Sequence, residues 1–173
     1  MATMILLPSG SSSVSDWTAA PFPNTPQSAL DDDNGDTSYV KCDDDGESMI
    51  VEFANPSVAE GDIASIDAVR FLSSGRSTDR RNAAGVDIAY QVPSGFSETG
   101  YYDPSPSSYE TITGIARAAQ PDTSAWDYAA LENLEMICTK NGVREVYLSY
   151  LAIRIDYTEA VAADNATFFG ANF

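Results

Sequence analysis

No histidine occurs anywhere in the 173 residues. That excludes Ser-His-Asp and Cys-His nucleophile systems, histidine zinc sites and histidine pH switches. Carboxylates are the remaining raw material for catalysis. A glycosidase needs two of them, about 5 Å or roughly 6.5–9.5 Å apart across a sugar cleft. Glu52, Glu98, Glu110, Glu132 and Glu145 are available, and no spacing among them singles out a pair. The chain is therefore read as a non-enzyme. Asp31-x-Asp33 and Asp43-x-Asp45 offer the hard oxygen ligands that calcium takes. Neither fits an EF-hand loop. Counting from Asp31, Gly35 and Asp36 stand fifth and sixth, where an Asp or Asn and then a glycine are needed. The other reading is a pair of solvated hairpin turns. Tyr101, Tyr102 and Tyr109 flank a Pro/Ser loop. Such tyrosines stack on sugar rings, contact another protein or pack into a core. Cys42 and Cys138 fall inside expected strands, as two buried thiols or as a disulfide.

Charge narrows the partners. Acidic residues number 26 against 9 basic, a net charge of −17. Nucleic acid and anionic membrane surfaces both attract Lys and Arg, so both are excluded. Arg70, Arg76, Arg80 and Arg81 lie close together, either as a solvated loop or as a patch that meets an acidic neighbour. The length suits one domain with a full core. No run of about 18 apolar residues is present to span a membrane. Residues 4–8 are too short for a signal h-region and follow no basic residue, so synthesis in a cytoplasm is expected.

The elements that must position these groups read as strands. Residues 134–140 and 143–157 flank Asn141-Gly142, the strongest short hairpin signal, because both central positions of that turn need φ > 0. Leu151, Ile153, Ile155 and Tyr157 alternate with Ala152, Arg154 and Asp156, as in a half-buried strand. Residues 146–151 are apolar on both faces, as if a loop or another subunit covered the second one. Residues 37–42 and 48–53 read as another hairpin, closed by the acidic turn between them. Residues 63–72 and 85–92 read as further strands, with a polar loop over 73–84. Residues 93–108 read as a long loop and 109–115 as a short strand. One or two helical turns are expected near residues 125–133, capped by Ser124 or Thr123 with Asp127 near the positive end.

The ends differ from this pattern. Residues 1–34 contain an apolar stretch, a Ser/Gly run and Pro21, Pro23 and Pro26. Proline gives the ladder no N–H, so an extended N-terminal arm is expected. Ile5, Leu6, Leu7, Trp17 and Phe22 are its expected anchors. A C-terminal tail, residues 159–173, carries Phe168, Phe169 and Phe173, which need a docking surface. The domain between, residues 35–158, reads as an all-β antiparallel jelly-roll β-sandwich.

Two stretches carry a resemblance. One is Leu30-Asp-Asp-Asp-Asn-Gly-Asp-Thr-Ser-Tyr39. The other is Thr123-Ser-Ala-Trp126 with Leu131 and Leu134, followed by Ile153-Arg-Ile-Asp-Tyr157. Together they resemble the small jelly-roll structural proteins of tailed bacteriophages, of capsid decoration, cement or tail-fibre type. The first also resembles the opening turn of galactose-binding-like β-sandwiches. The phage resemblance implies a virion protein made in the host cytoplasm. It would be a homo-oligomer that binds a capsid protein and ties neighbouring subunits together through arm and tail. The galactose-binding-like resemblance implies a structural calcium on Asp33, Asp36 and Glu159. The alternative function is a carbohydrate-binding module of a tail fibre or bacterial surface protein.

Overall fold

The computed structural model describes residues 1–14, 17–20, 25–33, 35–78, 85–93, 95–102 and 108–161. Among these described residues, eleven strands form two antiparallel sheets. The first contains β1 (Ala2–Leu6), β3 (Thr18–Ala20), β4 (Tyr39–Cys42), β6 (Ile63–Ser77), β9 (Glu110–Thr113) and β11 (Val146–Glu159). Its order is β3-β4-β11-β6-β9, and β1 also pairs with β11. The second contains β2 (Pro8–Val14), β5 (Ser48–Phe53), β7 (Gly85–Val92), β8 (Gly95–Tyr102) and β10 (Glu135–Asn141), in the order β2-β5-β10-β7-β8. Alternate residues such as Met49, Val51, Ile88, Met136, Leu148 and Ile153 are fully buried in one shared core. The β-sandwich expected from strand alternation is thus the fold.

The Asn141-Gly142 turn does not close a hairpin. β10 belongs to one sheet and β11 to the other. Gly142 has φ +93, but Asn141 stays in β10 with negative φ, so the turn with two positive φ values does not form. The two arms instead face each other across the core. β4 and β5 part in the same way, so their expected hairpin is also a crossover. The two crossovers are tied together. Gly142 N donates to Asp45 Oδ1 at 2.8 Å, Gly46 N to Lys140 O at 2.9 Å, and Lys140 N to Glu47 O at 2.9 Å. Lys140 is wholly buried there and donates its ammonium to the Gly142 carbonyl.

The two-faced apolar stretch of β11 has a local cause. Leu148 pairs with Gly75 and Tyr150 with Ser74, leaving Ser149 as an extra residue. One inserted residue reverses the alternation. Val146 and Leu148 therefore face the core before Ser149, and Leu151, Ile153 and Ile155 after it. No second cover is required.

The expected N-terminal arm is largely part of the sandwich. β1 pairs with residues 153–157 of β11, and β2 pairs with β5. Met4 and Leu6 alternate into the core, which offsets the ordering entropy of the segment. Leu6 is 2% exposed and Trp17 3%, so both anchor their own domain; Trp17 Nε1 donates to Glu47 O at 3.2 Å. Ile5 and Leu7 remain 41% and 39% exposed. Phe22, Phe168, Phe169 and Phe173 lie outside the described residues. Pro26 opens a helix, α1 (Pro26–Leu30), at a position where a missing N–H costs nothing, and Thr25 N donates to Ser28 Oγ at 3.0 Å. α2 (Tyr128–Glu132) is capped by Asp127 rather than Ser124 or Thr123: Asp127 Oδ1 accepts from Ala130 N at 2.7 Å. The segment over 93–108 was expected to be a loop but includes β8, which pairs along β7. As an edge strand it needs only one partner, so its glycines and lack of clean alternation are tolerated. β6 likewise runs on through Ser73 to Ser77. Cys42 and Cys138 are free, buried thiols.

On the outer side of the first sheet, Asp156 holds β1 in place. It accepts from Thr3 Oγ1 at 3.0 Å, Arg154 Nε at 2.9 Å and Arg70 at 2.5 Å. Burial alone would push this carboxyl up. The bonds from Arg154 and Thr3 and the two arginine charges outweigh burial and hold it below the usual range.

Two outcomes follow from this packing. Leu6→Ala should cost about 2–5 kcal/mol and lower Tm accordingly; an unchanged thermal melt would mean that β1 is dispensable. A carboxyl held low in the folded state adds stability above its unfolded value of about 3.9, and loses it as pH falls through the folded value. Asp156→Asn should therefore lower Tm at pH 7, with the gap to the parent narrowing below about pH 4. A gap that stays constant down to pH 2 contradicts that role.

Candidate functional site

The outward side of the second sheet collects polar residues in one cross-strand row. Gly10 pairs with Glu52, Glu52 with Glu135, and Glu135 with Gln91. Their neighbours Val51, Met136 and Tyr90 are buried in the core. The pleat therefore turns Glu52, Glu135 and Gln91 outward together. Gln91 Nε2 donates to Glu135 Oε2 at 2.8 Å. A Cβ at Gly10 would stand 2.5 Å from Glu52 Oε2, so the glycine leaves the Glu52 carboxylate its room.

α2 closes one end of this row. Its last residue Glu132, with Asn133, Glu135, Glu52 and Gln91, lines a groove of about 410 Å³. Of the apolar residues at its border, Phe53, Val92 and Leu134 are buried in the core and Pro93 is exposed. Asn133 Nδ2 donates to Ala129 O at 2.8 Å, which fixes that amide. Burial, and then the charge of Glu52, push the Glu135 carboxyl up. The groove thus presents carboxylate acceptors and carboxamides from β5, β7 and β10 and from the C-terminal end of α2.

The first sheet carries a second polar cluster, already engaged with itself. Arg76 lies over the Tyr147 ring at 4.0 Å and the Tyr109 ring at 5.5 Å. Tyr39 meets Tyr147 edge-on, with centroids 5.2 Å apart. Tyr147 OH donates to Glu145, which also pairs with Lys41 at 3.1 Å. Tyr109 therefore sits by the first sheet, while Tyr101 and Tyr102 belong to β8 of the second, so the three do not share one sheet. Arg70 pairs with Asp156 rather than forming a basic patch with Arg76, and Arg80 and Arg81 lie outside the described residues.

The calcium trio is not assembled. Asp33 accepts from Thr111 Oγ1 at 3.0 Å, and its charge acts on Tyr150. Glu159 ends β11, nine residues beyond Tyr150, about 30 Å along the strand. The side chain of Asp36 lies outside the described set. Among the described residues, no three Asp, Glu, Cys or His side chains converge on a metal-sized site. Asp45 of the other acidic turn is bonded to Gly142.

Glu52 and Glu132 were among the candidate carboxylates; Glu135 and Gln91 were not. The available signal was a charged residue at an outward position of an apolar strand, in both Ser48–Phe53 and Glu135–Asn141. Their meeting depends on strand order. Because the folded chain keeps the Glu135 proton to higher pH than the unfolded chain, stability falls as pH rises from about 4.3 through the raised value. Glu135→Gln should remove that loss, so Tm of the variant should rise relative to the parent between pH 4 and pH 7. Parallel melting curves at both pH values would show that Glu135 carries no such load.

No protein-family model matches the chain, and no curated protein matches it. Solved structures do. The C-terminal CBM6 of LamC, a marine laminarinase from Zobellia galactanivorans, is 11% identical with TM-score 0.48, over 89% of this chain and 98% of that one. The CBM36-1 domain of a multidomain xylanase from the hindgut metagenome of Trinervitermes trinervoides is 15% identical with TM-score 0.41, over 88% and 96%. CBM29_1, a family 29 carbohydrate-binding module from Piromyces equi, is 12% identical with TM-score 0.42, over 89% and 91%. None of these similarities assigns a residue or a ligand to this chain.

Proposed function

We propose that this chain is a non-catalytic carbohydrate-binding β-sandwich whose site is the groove over the second sheet. The observation that carries the reading is the outward row Glu52–Glu135–Gln91, set in an open groove beside Glu132 and Asn133. Sugar hydroxyls donate and accept at once. Carboxylates accept from them, carboxamides do both, and bonds to an ionised carboxylate are the stronger kind. Pro93 is the exposed apolar residue of the lining that can meet the apolar side of a sugar ring.

The absence of turnover is part of this proposal. Glu52 and Glu135 are opposed on adjacent strands of one face, and release of reducing ends is the readout that separates binding from glycoside hydrolysis. Of the arm and tail expected to link neighbouring subunits, the arm's β1 and β2 belong to the two sheets, and Phe168, Phe169 and Phe173 of the tail lie outside the described residues.

A glycan array probed with the purified chain should show selective binding to a subset of polysaccharides or oligosaccharides, with no release of reducing ends. Glu52→Ala and Gln91→Ala should each weaken that binding about ten-fold or more, since one lost hydrogen bond to a charged or buried group costs about 1.5 kcal/mol. An array without any selective signal, or variants that bind as the parent does, would overturn the reading.

A further inference from the structure

Pro93 and Asn133 each border two hollows. On one side lies the groove described above. On the other lies a smaller hollow of about 240 Å³, between α2 and the turn at residues 120–124. Its floor is Ala129 and Ala130, whose small side chains leave the space open, and its rim is Gln120, Asp122 and Ser124.

That rim is a fixed wall. Thr123 N donates to Gln120 O and Gln120 N to Ser124 O, each at 2.9 Å. Ser124 gives Asp122 Oδ1 both its N–H, at 2.9 Å, and its hydroxyl, at 2.6 Å. Gln120 Nε2 donates to Ala125 O at 2.8 Å. Thr123 is held at φ +73, a conformation that β-branched residues rarely adopt. Such a conformation persists only where the surroundings over-determine it.

The two hollows also share their charge. Glu52, Glu132 and Glu135 line the larger, and Asp122 and Asp127 the smaller. No lysine or arginine lines either among the described residues. An anionic chain would be repelled along the whole path. The smaller hollow adds a carboxylate acceptor, Asp122, while the Gln120 carboxamide and the Ser124 hydroxyl are engaged within the rim.

We infer that the two hollows are consecutive subsites for one linear, neutral oligosaccharide, which crosses the saddle formed by Pro93 and Asn133. The inference rests on the carbohydrate-binding reading and adds the length and charge class of the ligand. An extended ligand spanning both hollows gains the second set of contacts without a second cost of association.

The test is calorimetric titration of the full chain with disaccharides and hexasaccharides of neutral β-glucan, xylan and mannan, and with an oligogalacturonate hexamer. In the neutral series that binds, the hexasaccharide should bind at least ten-fold tighter than the disaccharide, and the anionic hexamer at least ten-fold weaker than the neutral one. Ala129→Trp fills the smaller hollow from an exposed helix position. It should bring the hexasaccharide-to-disaccharide ratio close to one, with an unchanged melting temperature as the control for folding. Asp122→Ala is a second variant, expected to reduce the same ratio. Equal affinity for the two lengths, an unchanged ratio in both variants, or preference for the anionic hexamer overturns the two-subsite inference and leaves carbohydrate binding standing. No binding to any of these sugars, together with a silent array, removes both.

Discussion

β11 is hydrogen-bonded along both of its edges. β6 takes one edge over nearly its whole length, and β4 and then β1 share the other. Every strand of the first sheet except β3 and β9 touches it directly. Its 14 residues must therefore satisfy two ladders while keeping a single apolar face toward the core. The extra residue at Ser149 lets one strand change phase between the β4 section and the β1 section. Asp156 then fastens the last partner from the outer side, where Thr3, Arg70 and Arg154 meet it. On that shared edge residues 149–152 pair with neither β4 nor β1, and the open groove lies on the other sheet.

The groove follows from how the chain enters and leaves that sheet. β5 and β7 end, and β10 begins, at the same end of the sandwich, and α2 leads directly into β10. Glu52, Gln91 and Glu135 are thus set beside one another by register alone, with Glu132 and Asn133 supplied from the connection. Burying Glu135 next to Glu52 costs stability, as the raised carboxyl records. Gln91 offsets part of this through its bond to the same group. A paired, bonded and partly desolvated carboxylate is a more exacting hydrogen-bond partner than a freely solvated one.

The sandwich class was legible in the alternation of residues 48–53 and 85–92, because a period of two on a half-buried surface has one structural meaning. The site was legible only in its residue types. Glu52 and Glu132 stood out as carboxylates, but their association with Glu135 and Gln91 is a matter of which strands are neighbours, and local pattern does not encode that. Asn141-Gly142 misled for the same reason. The dipeptide specifies a sharp reversal, while the choice between pairing the arms and opposing them across a core is made by strands far away in sequence. Pro26 shows a different limit. Proline reads as a breaker, yet at the first position of a helix its fixed φ is an advantage. Leu6 and Met4 read as isolated apolar residues because their partners lie at the opposite end of the chain.

That last pairing has a consequence for synthesis. Thr3 and Asp156 are separated by 153 residues, so β1 leaves a ribosome long before the strand it pairs with. At about 5–20 residues per second, it waits roughly 8–30 s with Met4, Leu6 and both edges uncovered. The second sheet lacks β10 until residue 141 emerges and the first lacks β11 until residue 159, so closure of the core waits for these late strands. Such non-local topologies fold slowly and expose apolar edges while they do. The large negative charge of the chain bears on this interval, because mutual repulsion keeps nascent copies apart while their strands are unpaired.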